Sequence, residues 1–159
     1  MIVRSSSLFR RIGAFCAALI GAIAVSGAAY AAKPETYTAI LSNVGAGGYD
    51  VVAYFSDGAP VKGDAALKTD YKGAEWRFSS PANLEKFKVD PDAYAPQYGG
   101  YCAWAVAQDY TAPGNPKNWA VVDGKLYLNY NDKVQADWLK DVPGFIASAN
   151  ANWPDVLQK

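Results

Sequence analysis

The N-terminus constrains this chain most. Three basic residues and no acid stand in the first eleven (Arg4, Arg10, Arg11), an apolar run follows from Ile12 to Ala24, and Ala29-Tyr30-Ala31 supplies a small-x-small pattern. That order is the order of a secretory signal peptide. Residues 1–31 are therefore expected to be cleaved, with a mature chain from Ala32 that is periplasmic or secreted. The apolar run is shorter than the roughly 20 residues a spanning helix needs, so no membrane span is expected in the mature protein. Residues 32–159 are what remains to fold, enough for one domain with a real core and too few for two.

The leader takes with it three of the 15 basic residues and none of the 15 acids, so acids outnumber bases by three in the remainder. A net negative domain is a poor partner for nucleic acid or for an anionic membrane. Of the two cysteines, Cys16 lies in the leader, which leaves Cys102 alone and excludes an intramolecular disulfide. A leftover thiol in an exported chain points to intermolecular pairing, to a metal ligand or to a buried inert side chain. The sequence holds no histidine, and its one methionine is the initiator. Without histidine there is no Ser-His or Cys-His nucleophile pair and no imidazole base, so no enzyme is expected. Gly45 to Gly48 lacks the preceding strand and the lysine of a phosphate loop.

Local patterning predicts an α+β fold, a small single domain of β-hairpins with short helices. Tyr49 to Phe55 is rich in β-branched and aromatic residues and stops at Ser56-Asp57-Gly58, which predicts a strand and a turn. Alternation around Gly73 predicts a hairpin that turns Trp76 and Phe78 to the core. Ser80 followed by Pro81 opens a short amphipathic helix through Leu84 and Phe87, ending at Asp90-Pro91. A loop at Gly99-Gly100 leads into the small apolar run Cys102–Ala107, for which helix and strand both remain open. Trp119–Val122 and Lys125–Tyr130 flank Asp123-Gly124, the two-residue turn of a hairpin. Asn131 then caps a helix presenting Val134, Trp138 and Leu139, and Pro143-Gly144 separates it from a further turn of helix through Phe145, Ile146 and Ala149.

The ordered set Tyr49-Asp50-Val51-Val52-Ala53-Tyr54-Phe55, Trp76-Arg77-Phe78-Ser79-Ser80, Phe87, Asp90-Pro91 and Tyr94-Ala95-Pro96-Gln97-Tyr98-Gly99-Gly100-Tyr101-Cys102 resembles exported proteins of the YHS domain family. The likeness runs from about Tyr49 to Asn152-Trp153-Pro154. It divides the chain into a signal peptide (1–31), a lead-in segment (32–48) and a YHS-like domain (49–159). It also implies metal binding, with which the family is associated. The run corresponding to the family's Tyr-His-Ser motif, Trp76 to Ser80, holds no histidine, and the paired cysteines of metal-binding relatives are reduced to Cys102.

Cys102 is the one soft donor available. Asp50, Asp90, Asp92 or the Tyr98 phenol as co-ligands would match no common structural zinc pattern. Copper(I) accepts thiolates and fits two Cys102 residues across a two-fold homodimer. The expectation is thus a soft-metal, copper-binding or copper-handling domain, with Cys102 as ligand and Tyr98, Gly99, Gly100, Tyr101 and Trp104 as ligand or partner contacts. The alternative is a non-catalytic interaction module that binds a protein partner or small apolar ligand through its aromatic surface, without metal and with Cys102 inert. Five tryptophans and ten tyrosines beyond the leader supply such a surface, although Trp76, Phe78, Phe87 and Trp138 are expected in the core.

Overall fold

The computed structural model describes residues 31–159, so the signal peptide expected over residues 1–31 lies, all but its last residue, outside the described residues. Within them the order of elements is α1 (Ala53–Ser56), β1 (Asp64–Tyr71), β2 (Ala74–Phe78), α2 (Pro81–Val89), α3 (Pro91–Tyr94), α4 (Ala103–Ala107), β3 (Asn115–Val122), β4 (Lys125–Asn129), α5 (Asp132–Trp138) and α6 (Val142–Asn152), joined in places by single 3-10 turns. The fold is α+β, with two antiparallel hairpins, β1–β2 and β3–β4, each a separate sheet. No helix among the described residues is long and apolar enough to cross a membrane.

Both hairpins turn through two residues with positive φ, Lys72-Gly73 and Asp123-Gly124, the mirror-image turn whose twist matches that of paired strands. Ser80 accepts from the Asn83 N–H at 3.2 Å and Asn131 from the Val134 N–H at 2.9 Å, each starting its helix as the capping pattern predicts. Asp90 ends α2 and caps α3 in its turn. The open segment after Cys102 is helical.

Three expectations are corrected. Tyr49–Phe55 is not a strand but a bend leading into α1, because Asp50 turns inward and its Oδ1 accepts the Val52 and Ala53 N–H groups at 2.9 and 3.3 Å. An aspartate bonding just ahead of itself stabilises a helical start over an extended chain. Pro143 and Gly144 sit in the first turn of α6 rather than breaking a helix, with Asp141 capping at the Gly144 N–H. Leu139 lies just past the end of α5 and is exposed.

Two apolar clusters form the interior. One holds Val51, Val52, Trp76, Phe78 and Phe87; the other holds Tyr98, Tyr101, Val106, Trp138, Ala149 and Val156. Strand β4 divides them. Its alternation sends Leu126 and Leu128 into the first and Tyr127 into the second. The first cluster is aromatic at heart: Phe87 packs its ring 5.6 Å from Trp76, 5.0 Å from Phe78 and edge-on to Tyr71 at 5.7 Å. Each such ring contributes roughly 1.5–3 kcal/mol through burial, which compensates for the scarcity of aliphatic side chains.

The lead-in segment is part of this body. Lys33 N–H bonds to the Leu157 carbonyl, Tyr37 N–H to the Gly99 carbonyl and the Thr36 hydroxyl to the Lys72 carbonyl, at 2.8, 2.9 and 3.0 Å. It lies across the Tyr98-Gly99-Gly100 bend so closely that a Cβ on Gly99 would stand 1.7 Å from the Glu35 carbonyl oxygen.

Candidate functional site

Cys102 occupies the position before α4 and is tied to β4 by an isolated parallel bridge to Leu128, while its own N–H bonds to the Ala112 carbonyl at 2.9 Å. The residue is 1 % exposed. Its thiol donates to Asn129 Oδ1 at 3.6 Å, and that same oxygen accepts the Trp104 N–H at 3.1 Å. The Asn129 amide then donates to Gln135 Oε1 at 2.7 Å, and Gln135 Nε2 to the Trp119 carbonyl at 3.1 Å. The Trp104 N–H decides which way the amide points: only the carbonyl side of Asn129 can face a backbone donor. The sulfur is thereby presented with an acceptor, which favours the protonated thiol. Burial pushes the Cys102 pKa up, against a smaller opposing pull from the backbone N–H groups of Ala105, Tyr130 and Trp104.

Cys102 lines a cavity of about 300 Å³ together with Trp104, Tyr110, Pro113, Tyr130 and Val134. Trp104 and Tyr110 meet edge to face, 6.3 Å between centroids. This is an apolar, aromatic pocket with one cysteine among its lining residues.

The six residues singled out from the sequence do not form one site. Cys102 and Trp104 line the pocket just described, whereas Tyr98 and Gly99 line a second cavity that shares no residue with it. Tyr101 belongs to the second cluster, its hydroxyl bonded to the Pro34 carbonyl at 2.9 Å. Gly100 is buried against Pro96 and Leu128. The carboxylates considered as co-ligands are elsewhere as well. Asp50 is sealed in the first cluster, Asp90 caps α3, and Asp92 pairs with Lys72 at 3.4 Å. Sequence reasoning missed Asn129 and Gln135. The signal was there in Asn129, a polar residue closing an otherwise apolar buried strand.

A YHS domain family model matches residues 52–98. Residues 52–98 are a YHS domain. The match covers α1 through α3 and ends at Tyr98, four positions before the thiol, so the Cys102 pocket is built by residues that follow the YHS domain, those from Cys102 to Pro113 together with Tyr130 and Val134. Neither a curated protein nor a solved structure matches the chain. The YHS domain is a metal-associated domain, which connects this protein with metal handling in the broad sense.

The residues around Cys102 do not fit a closed metal cage. Among the described residues no three His, Cys, Asp or Glu side chains converge, and the oxygen bonded to the thiol, Asn129 Oδ1, already accepts two hydrogen bonds. One sulfur at an open pocket fits a metal that brings its other donors with it. A bridge between two Cys102 sulfurs would have to pass through the pocket, since the residue has no outer surface of its own.

Proposed function

We propose that this is a non-catalytic metal-handling domain, acting after export, that takes copper(I) as cargo at the Cys102 pocket while the delivering molecule supplies the remaining donors. The observation that carries the reading is the position of Cys102, the one cysteine among the described residues, in the lining of a cavity of about 300 Å³. Thiolate is the donor copper(I) prefers, and the aromatic walls favour a soft cation stripped of water. No histidine is present to serve as a base, which separates this pocket from a cysteine nucleophile's site. Titration of the reduced protein with buffered copper(I), beside Cys102→Ser, followed by native mass spectrometry, tests it. One copper per chain, lost in the variant, is expected; one copper shared by two chains would mark a bridged dimer. Absence of binding, or equal binding by both forms, removes Cys102 from the function.

The edge-to-face Trp104–Tyr110 pair favours a second reading, in which the same pocket holds a small planar apolar ligand and the thiol only packs. Under that reading Cys102→Ser leaves ligand affinity unchanged.

A further inference from the structure

The second cavity, of about 180 Å³, lies where the lead-in segment, the β1–β2 turn, the Tyr98-Gly99 bend and α6 converge. It stands apart from the Cys102 pocket and from the reading given to it. Four of its lining residues are aromatic: Tyr71, Trp76, Tyr98 and Trp153. Three charged residues line it, Glu35, Asp92 and Lys72, two carboxylates against one ammonium. We propose that this cavity binds a small quaternary ammonium compound, a choline-sized head whose positive charge faces the aromatic rings and the two carboxylates.

Several features converge on that class. The cavity is small beside the roughly 300–1,000 Å³ of sites for drug-sized ligands, so it suits a head group rather than an extended molecule. One oxygen of each carboxylate is already engaged from within: Lys72 Nζ lies 2.9 Å from Glu35 Oε1 and 3.4 Å from Asp92 Oδ1, and Asp92 Oδ1 also accepts from the Tyr71 hydroxyl. A cation that donates no hydrogen bonds can use the field of these carboxylates without displacing that network. Ring faces attract such a cation through their quadrupole. The chain already places an ammonium in this surrounding, since Lys72 Nζ sits 5.4 Å from the Tyr71 ring centroid. The walls are held in advance of any ligand. Trp76 donates from its indole to the Tyr71 carbonyl at 3.0 Å, Tyr98 donates to Asn150 Oδ1 at 2.9 Å, and Trp153 packs 5.9 Å from Tyr98. Tyr98 keeps a left-handed backbone, φ 55°, to reach this position, a conformation rare for a bulky residue.

Calorimetric titration of the purified protein with choline chloride, beside its neutral isostere 3,3-dimethylbutan-1-ol, tests the assignment. Expected are one choline per chain, binding of the isostere weaker by about tenfold or more, and weakening of choline by about tenfold in Glu35→Gln/Asp92→Asn. Cys102→Ser should bind choline as the unaltered chain does, so failure here and failure of the copper reading are separable. Lack of saturable choline binding, or equal affinity for the isostere, overturns the proposal on the unaltered protein, whatever the double variant does. Retention of full affinity by a folded double variant overturns it as well.

Discussion

Asp50 and Asn83, 33 positions apart, meet in the interior through a 2.8 Å hydrogen bond from the Asn83 amide to Asp50 Oδ2. The same oxygen accepts the Ser79 N–H at 2.8 Å and the Ser79 hydroxyl at 2.7 Å, while Oδ1 holds the start of α1. One carboxylate thus joins α1, the end of β2 and the first turn of α2, and it is 0 % exposed.

Asp50→Ala should therefore cost on the order of 3–5 kcal/mol, since it strands several buried donors at roughly 1–3 kcal/mol each. Asp50→Asn keeps an oxygen for the α1 amides but turns an NH2 toward the Ser79 and Asn83 donors, and should cost about 2–3 kcal/mol. Urea unfolding with an unchanged slope would read both. If each variant stays within about 0.5 kcal/mol of the parent, the carboxylate is not what ties these segments together.

The Cys102 thiol, with its pKa raised by burial, should stay protonated where an exposed thiol of pKa about 8.5 ionises. Iodoacetamide alkylation of the folded protein at pH 8 should be slower than that of the urea-unfolded chain by about tenfold or more, and should rise with pH well past the unfolded value. The unfolded chain releases its proton first, so the thiol contributes a stability that is full below the unfolded pKa and declines as pH rises above it. Cys102→Ser should flatten that alkaline decline. Alkylation as fast in the folded as in the unfolded protein would show a thiolate, contrary to the Asn129 geometry.

Gly99→Ala combines a left-handed φ of 60° with the overlap against the Glu35 carbonyl. About 1 kcal/mol is expected from the first and 1–3 from the second. Gly124→Ala, also at positive φ but with open space around it, should show only the smaller cost. Hydrogen exchange at the Tyr37 amide, which bonds to Gly99, should accelerate in the first variant and not in the second. Equal stabilities for the two would mean that the lead-in segment does not press on this bend.

Much of the local structure was legible because it rests on near-neighbour chemistry. Ser80, Asp90 and Asn131 cap the N–H groups three residues on, and Asp123-Gly124 takes the positive φ values a tight hairpin demands. Tyr49–Phe55 was misread because its β-branched and aromatic residues describe a buried segment rather than a strand, and the residue that bends it, Asp50, finds most of its partners 29 and 33 positions away. The candidate site divided for a related reason. Tyr98 and Trp104 are six apart in sequence, yet the left-handed bend through Tyr98, Gly99 and Gly100 sends them to different cavities.

By itself, then, the sequence determined the α+β class, both hairpins, the helix starts at Ser80 and Asn131, the aromatic core around Trp76 and Phe78, and the YHS domain likeness, because periodicity, capping and turn chemistry act over a few residues. Tertiary structure alone decided that Asp50 is a buried tie, that Asn129 faces the Cys102 thiol, and that Glu35, Lys72 and Asp92 share one cavity wall. Those relationships join residues 20 to 57 positions apart, and nothing short of the packed chain brings their side chains within reach of one another.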